Sequence, residues 1–155
     1  MIAKQLLLTL WLGFSSLGCQ QAPQDPAPQQ TPPPDPTVLA AQMDMPFQLP
    51  LGRSARIADQ DLTVTFEEVL EDSRCPQGVD CIWQGRATIR LTLRQGEEKH
   101  SLQLTAQAGS PELAETRQGN YLLRLTDLLP YPKEGQTIPP TDYTATLLIA
   151  EPEQD

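Results

Sequence analysis

This sequence of 155 residues is poor in the residue types on which most enzymes and nucleic-acid-binding proteins depend. It contains one histidine, His100, which excludes zinc sites built from several imidazoles and leaves a single imidazole base. Basic residues are also scarce, with 11 Lys and Arg against 20 Asp and Glu, so the formal net charge is −9. A chain this acidic repels phosphate backbones. The composition therefore predicts a protein that does not bind nucleic acid.

The other residues that could carry chemistry do not form a catalytic set. Ser101 directly follows His100, and because neighbouring strand residues point to opposite faces, the two cannot act as a pair. The segment Glu67–Asp72 carries four acidic residues, but adjacent side chains diverge there in the same way. No glycine-rich phosphate loop followed by a lysine is present. The sequence therefore predicts a non-catalytic protein without a cofactor.

Long apolar runs are absent as well. The run "LLLTLWLGF" ends at Phe14 and is far shorter than the roughly 20 residues that a membrane-spanning helix needs. It follows a charged start at Lys4 and precedes the small, turn-prone "SSLGC". A charged start, a short apolar core and a small-residue exit are typical of a secretory signal peptide. We therefore expect residues 1–18 to be a signal peptide and the following chain to be exported.

The exit of this segment resembles the lipobox of bacterial lipoproteins. In "SLGC", Gly18 and Cys19 match the small residue and the cysteine of that pattern. Ser16 stands where leucine is usual, and Leu17 comes one place late. The resemblance implies that Cys19 is lipidated and becomes the mature N-terminus, which would also account for the odd cysteine among three. The alternative is an ordinary secreted protein cleaved nearby, with Cys19 lost or free.

A lipidated Cys19 would attach the protein to a membrane through acyl chains such as palmitate. One acyl chain anchors only marginally, whereas two or three make attachment durable. Gln20 follows Cys19 in place of the aspartate that is associated with inner-membrane retention in some bacteria, which favours the outer membrane. We therefore expect a lipid-anchored protein of the bacterial cell envelope, with its domain in an extracytoplasmic space.

A stretch rich in proline and glutamine extends from Cys19 to about Gln42. It contains "QQAPQDPAPQQTPPPDPT" and has no hydrophobic period. Such a composition cannot bury enough apolar area to offset its ordering entropy. The sequence therefore predicts that residues 19–42 form a disordered spacer with polyproline II character. The other interpretation, a Pro-rich docking ligand, lacks flanking basic residues.

The residues from 43 to 153 have the length of one domain, and their apolar and polar residues alternate. In "ATIRLTLR", Ala87, Ile89, Leu91 and Leu93 fall on one face and the polar residues on the other, as in a half-buried strand. Four further segments alternate in the same way, and we predict amphipathic strands there as well. Their inward positions are Leu62, Val64 and Phe66; His100, Leu102 and Leu104; Tyr121, Leu123 and Leu125; and Tyr143, Ala145, Leu147 and Ile149.

Turn signals separate these strands. "RQGEE" at Arg94–Glu98 and "RQGN" at Arg117–Asn120 suit hairpins, and "PYPKEGQTIPP" suits a longer irregular crossing. Only Ser110–Glu115 has the features of a helix start, with Ser110 as N-cap and Pro111 in the first turn, so we expect at most one helical turn. Six to eight strands with one polar face predict an all-β domain, either an antiparallel sandwich or a small barrel.

The stretch "DSRCPQGVDCIWQG", residues 72–85, contains the two remaining cysteines. In an exported protein Cys75 and Cys81 face an oxidising compartment, so we expect a disulfide that contributes roughly 2 kcal/mol of stability. A structural zinc site needs four ligands, which these cysteines and His100 reach only if a carboxylate such as Asp80 joins them. A redox motif needs two intervening residues instead of five. The pattern favours a structural disulfide without metal.

The residues around this disulfide predict a pinned structural corner. Asp72, Ser73 and Arg74 precede a tight turn, where short polar side chains commonly hydrogen-bond their own backbone. The other members of the corner are expected to be Pro76 and Gly78 in the bend, Trp83 packed on or near the disulfide, and Gly85 at a close approach or bulge.

This stretch, together with the later "LLPYP" and "DYTATLLI", resembles a family of small, largely uncharacterised bacterial exported proteins and lipoproteins. That family carries a D-S-R-C-P-x-G-x-x-C-x-W-x-G signature, and the resemblance covers about Leu62 to Ile149. It implies a compact β-domain and brings no established activity with it. The residues that match the signature are Asp72, Ser73, Arg74, Cys75, Pro76, Gly78, Cys81, Trp83 and Gly85.

Two functions fit these expectations. The first is a lipid-anchored envelope protein whose β-domain is a binding or scaffold module that engages an envelope protein through its exposed loops. The second is a secreted inhibitor-like domain that presents the disulfide-pinned loop to a protein partner. The anchor and the spacer distinguish them, because a tethered binder needs both and a diffusible inhibitor needs neither.

Overall fold

The structure is a computed structural model, and it describes residues 38–151. Within this range the chain forms nine strands and two short 3-10 helices, Pro111–Ala114 and Pro140–Asp142. This composition confirms the all-β class. The strands are β1 (Val38–Ala41), β2 (Phe47–Pro50), β3 (Ser54–Ile57), β4 (Leu62–Asp72), β5 (Arg86–Gln95), β6 (Glu98–Gln107), β7 (Glu115–Gln118), β8 (Tyr121–Leu129) and β9 (Thr144–Ala150).

The strands form two sheets that pack face to face. The five-stranded sheet has the order β1-β3-β4-β5-β6, and the four-stranded sheet has the order β2-β9-β8-β7. All neighbouring strands are antiparallel except β1 and β3, which run parallel. The described strands form no closed barrel, so of the two predicted architectures it is the sandwich that forms.

The inward-facing residues of the predicted strands form the core between the two sheets. All of them are buried except His100, which is half-buried beside the β5–β6 hairpin. The predicted hairpins are confirmed at Arg94–Glu98 and Arg117–Asn120, and an irregular crossing joins β8 to β9. The crossing begins at the cis peptide bond between Leu129 and Pro130. The alternation of apolar and polar residues and the positions of the turn residues were therefore sufficient to predict the long strands.

The short strands at the start of the domain were not predicted. β1 lies inside the stretch expected to be spacer, and its residues pair in register with β3, from Val38 with Ser54 to Ala41 with Ile57. The sheet therefore begins before the predicted boundary at Met43. Strands of four residues, such as β1, β2 and β3, are too short to show a convincing period, which explains why nine strands form where six to eight were expected.

Ser110 does not cap a helix as predicted. Its side chain makes no capping hydrogen bond, and the single helical turn that follows is a 3-10 helix. The predicted signal peptide, the predicted lipidation site at Cys19 and most of the predicted spacer fall within residues 1–37, which lie outside the described range. Residues 152–155 also lie outside it. Among residues 38–151, no helix is long and apolar enough to cross a membrane.

Candidate functional site

Residues 73–85, which we call the disulfide loop, join the end of β4 to the start of β5. Cys75 and Cys81 are bonded to each other with their Cα atoms 6.0 Å apart, which confirms the predicted bridge. Both cysteines lie outside the strands. The bridge therefore closes the loop between the last residue of β4 and the first residue of β5.

The base of the disulfide loop continues the pairing of β4 with β5. The N–H of Ser73 donates to the carbonyl of Arg86 at 2.8 Å, and the N–H of Cys75 donates to the carbonyl of Gln84 at 3.0 Å. These bonds hold the two arms of the loop together as far as the first cysteine. The outer part of the loop, with Ile82 among its residues, extends beyond them.

Gly85 lies where the two arms of the disulfide loop come closest. It has a φ of +66°, and a Cβ atom added to it would lie 1.7 Å from the carbonyl oxygen of Ser73. The predicted close approach is therefore confirmed. Pro76 and Gly78 lie in the bend between the cysteines, as expected. Gly78 has a φ of +87° but has no atom within 4 Å of an added Cβ, so only its backbone conformation favours glycine.

Arg74 is a buried cation, with 8% of its surface exposed. Its Nε and one terminal nitrogen donate to the two carboxylate oxygens of Asp72, at 2.8 and 2.7 Å. It also donates to the carbonyl of Leu128 at 2.5 Å and to that of Pro130 at 3.0 Å. Its guanidinium carbon lies 4.7 Å from the ring centroid of Tyr131. The side chain of Arg74 thus joins the end of β4 to β8 and to the crossing that follows β8.

Asp72 is also held from the four-stranded sheet. The hydroxyl of Tyr143, directly before β9, donates to Oδ2 of Asp72 at 3.0 Å. Burial by itself would raise the pKa of Asp72, but hydrogen bonds from Arg74 and Tyr143 and the charge of Arg74 outweigh it, and the pKa lies below its usual value. Burial and the hydrogen bond to this carboxylate raise the pKa of Tyr143 to about 12. The group is therefore a carboxylate held between a cation and a neutral phenol.

The predicted local role of Asp72 and Arg74 accounts for only part of this network. The N–H of Arg74 donates to Oδ1 of Asp72 at 3.3 Å, which is the expected contact between a turn side chain and its own backbone. The contacts with Leu128, Pro130 and Tyr143 were missed. These partners lie 54 to 71 positions further along the chain than the residue that each contacts, and no local sequence pattern links them to Asp72 or Arg74.

Trp83 does not pack on the disulfide as predicted. It is 83% exposed, and its neighbour Ile82 is 93% exposed. Because β5 begins only at Arg86, Cys81 and Trp83 both lie in the loop and do not share a strand face. Sequence reasoning therefore missed an exposed apolar pair. The signal for it was Gly85, a strand-breaking residue between Trp83 and the alternating segment.

The exposed apolar pair borders an open depression of about 500 Å³ whose lining also includes Glu71, Ser73 and Arg86. The hydroxyl of Ser73 and Nε of Arg86 each donate to the carboxylate of Glu71, at 2.9 Å in both cases. The hydrogen bonds from Arg86 and Ser73 lower the pKa of Glu71. Ile82 and Trp83 are therefore exposed apolar side chains with polar and charged side chains around them.

The alternative uses of the cysteines and of the histidine find no support in the geometry. Cys75 and Cys81 are consumed by the disulfide, and His100 lies near the β5–β6 hairpin with Nε2 3.5 Å from the carboxylate of Glu98. Within the part of the chain that the structure describes, no three His, Cys, Asp or Glu side chains are grouped so that they could hold a metal ion.

No protein-family model, curated protein or solved structure was found to match this chain. The resemblance to exported β-domain proteins, based on the signature between Asp72 and Gly85, stays a prediction.

Replacing Cys75 and Cys81 together with serine should lower the free energy of unfolding by about 2 kcal/mol, which is the loop-closure contribution for a ring of this size. No contact with Trp83 is lost, because the indole is in solvent. Urea unfolding followed by circular dichroism measures the change, with reduced wild-type protein as the matched control. A loss above about 4 kcal/mol would instead mean that the bridge supports the core itself.

Proposed function

We propose that this protein is a lipid-anchored protein of the bacterial cell envelope whose β-sandwich is a non-catalytic binding module. The disulfide loop is its contact surface for a protein partner. The observation that carries the proposal is the near-complete exposure of Ile82 and Trp83 on a loop whose base is fixed to both sheets. Large exposed apolar side chains next to each other are characteristic of interaction surfaces.

The fixed base favours binding because it reduces the entropy lost on association. The disulfide closes the loop, and the N–H of Gln77 donates to the carbonyl of Pro132, in the crossing between β8 and β9, at 2.9 Å. Ordering a mobile loop costs free energy on binding, and a loop that is already held avoids much of that cost. The loop therefore presents its apolar pair in a nearly constant position.

The chemistry of the pair suits a protein partner. Tryptophan is enriched among the residues that dominate protein interfaces, where truncating one costs about 2 kcal/mol or more. The polar neighbours Glu71, Ser73 and Arg86 would form the rim that surrounds such an anchor. Asp80 lies within the loop and disfavours insertion into an anionic membrane surface. A partner with an apolar pocket fits these features.

The same loop is compatible with the second function, a secreted inhibitor-like domain. The two differ only in attachment, because an inhibitor that diffuses would lack acyl chains on Cys19. One experiment can therefore examine both the loop and the anchor.

The test uses the full chain, produced in a bacterium, with a photo-cross-linking amino acid in place of Ile82. We expect the membrane fraction to contain protein that begins at an acylated Cys19 and carries one discrete protein adduct, both identified by intact mass. Adding Trp83→Ala should lower the adduct yield by about 30-fold, the factor that corresponds to a loss of about 2 kcal/mol.

The matched control places the same cross-linker at Glu97, an exposed position in the β5–β6 hairpin, where no adduct should form. An equal adduct at position 97, or an adduct at position 82 that Trp83→Ala leaves unchanged, would refute the loop as the contact surface. Unacylated protein in the soluble fraction with a Trp83-dependent adduct would replace the anchored function with the inhibitor-like one.

A further inference from the structure

The outer face of the five-stranded sheet carries a row of basic side chains across its strands. Arg56 of β3 is opposite Thr63 of β4, Thr63 is opposite Arg94 of β5, and Arg94 is opposite Lys99 of β6. Residues directly opposite on paired strands share a face of the sheet. With strands about 4.8 Å apart, Arg56, Arg94 and Lys99 span three strand spacings. We call these three residues the cationic row.

The cationic row is not neutralised by the protein's own acids. Among residues 38–151, none of its three side chains forms an ion pair or a side-chain hydrogen bond, and all three residues are exposed. The chain as a whole has a formal net charge of −9. Four other arginines are each paired with a nearby carboxylate: Arg74 with Asp72, Arg86 with Glu71, Arg90 with Glu68 and Arg124 with Glu115.

A row of hydroxyl side chains lies next to the cationic row on the same face. Ser54 is opposite Thr65, Thr65 is opposite Thr92, and Thr92 is opposite Ser101. The two rows are two residues apart along each strand, which is about 7 Å. The hydroxyls of Ser54 and Thr65 are hydrogen-bonded to each other, with their oxygen atoms 2.8 Å apart. Those of Thr92 and Ser101 have no side-chain hydrogen-bond partner among the described residues.

The two rows enclose a shallow depression of about 270 Å³ on the sheet surface. Its lining includes Arg56, Arg94 and Lys99 from the cationic row and Thr65 and Thr92 from the hydroxyl row. One carboxylate, that of Glu67, also borders it. The depression thus offers cations along one side and hydroxyl groups along the other.

We propose that this face binds an acidic polysaccharide that lies across the strands. Its anionic groups would contact the cationic row, and its ring hydroxyls would contact the hydroxyl row. Only a ligand that carries charge and hydroxyl groups along one chain uses both rows. Hydroxyl groups both donate and accept hydrogen bonds, so those of Ser and Thr are suited to sugar hydroxyls. The charged groups supply attraction that weakens as salt is added.

Other anionic ligands fit this face less well. An extended acidic peptide could pair with the cationic row, but it carries few hydroxyl groups for the second row. An anionic membrane surface is flat, and it would bring its charge against Glu67 and the acidic β5–β6 hairpin as well as against the cations. A single polysaccharide chain is narrow enough to stay between these acids. The site lies at the β5–β6 hairpin end of the sheet, whereas the disulfide loop lies at the other end.

The test measures binding of polygalacturonate to the full chain by calorimetry at two salt concentrations. We expect binding that weakens at higher salt and that falls about tenfold or more in Arg56→Gln/Arg94→Gln, because each exposed ion pair contributes up to about fivefold in affinity. Thr92→Val, which removes a hydroxyl and keeps the side-chain shape, should lower affinity severalfold. Methyl-esterified polygalacturonate should not bind.

The matched control is Arg117→Gln/Lys133→Gln, which removes two exposed cations elsewhere on the domain and should leave the affinity unchanged. Equal losses in the control and in Arg56→Gln/Arg94→Gln would refute the site, since binding would then follow total charge. Polyglutamate or anionic phospholipid vesicles that bind as tightly, or an unchanged affinity in Thr92→Val, would refute the polysaccharide as ligand. These results are independent of the cross-linking at position 82.

Discussion

Replacing Arg74 with methionine is expected to lower the free energy of unfolding by about 3–5 kcal/mol at neutral pH, the cost of removing one partner from a buried ion pair. The change leaves the carboxylate of Asp72 buried without its cation and removes the donors to the carbonyls of Leu128 and Pro130. It also detaches the end of β4 from the crossing between β8 and β9. Urea unfolding followed by circular dichroism measures the loss.

The pH dependence of this loss distinguishes an electrostatic cause from a packing cause. In the wild type the lowered pKa of Asp72 contributes stability above the pKa of the unfolded carboxyl, about 3.9, and this contribution disappears as the pH falls through the folded-state pKa. In Arg74→Met, burial without a cation raises that pKa, so acid favours the folded variant. The deficit should therefore shrink between pH 7 and pH 4, and a deficit independent of pH would contradict this account.

The matched control for Arg74→Met is the double variant Asp72→Asn/Arg74→Met. It removes the buried negative charge together with the cation, so it should recover part of the stability lost in the single variant. The amide of asparagine can still accept the hydrogen bond that Tyr143 donates to position 72. A double variant less stable than Arg74→Met would mean that the carboxylate is stabilising without its cation.

Replacing Gly85 with alanine should destabilise the domain by at least about 2 kcal/mol more than replacing Gly78 with alanine. Both substitutions put a Cβ at a positive φ, which costs about 1–2 kcal/mol. Only at Gly85 does the new atom fall 1.7 Å from a backbone carbonyl, so one arm of the disulfide loop must move. Equal losses of unfolding free energy in the two variants would show that the loop opens without cost.

Gly85→Ala should also affect the proposed contact surface. Moving the arm that carries Trp83 displaces the indole relative to the sheet, so the cross-link from position 82 should weaken in proportion to the displacement. Gly78→Ala should leave the cross-link intact, because an added Cβ there meets no atom within 4 Å. A cross-link that survives Gly85→Ala unchanged would argue that the partner does not depend on the loop position.

The sequence was most informative where one residue type serves one local purpose. The alternation in β5 identifies its buried face because each buried position, from Ala87 to Leu93, follows the two-residue period of a strand. The disulfide was predictable because the expected export of the chain and the spacing of Cys75 and Cys81 together leave little other use for these thiols. The glycine at position 85 indicated a close approach, although not the atom that it approaches.

The candidate site was less predictable because its geometry comes from contacts between distant segments. Arg74 is next to a cysteine and close to Asp72 in sequence, but its burial depends on carbonyls at the end of β8. Trp83 is expected on or near the disulfide, but β5 starts only at Arg86, and the indole lies in solvent. The cationic row exists only through the register of four strands, which the pattern of each strand alone does not define.

The exposure of Trp83 determines what the fluorescence of this domain can report. Trp83 is the only tryptophan among residues 38–151, and the other one in the chain is Trp11. An indole that is already in water when the domain is folded keeps similar surroundings when the domain unfolds, so its emission changes little. A partner that covers the indole would shift its emission to shorter wavelength and shield it from quenchers in solution. The tryptophan emission of this domain therefore changes little on unfolding, but it does report whether a partner covers the disulfide loop.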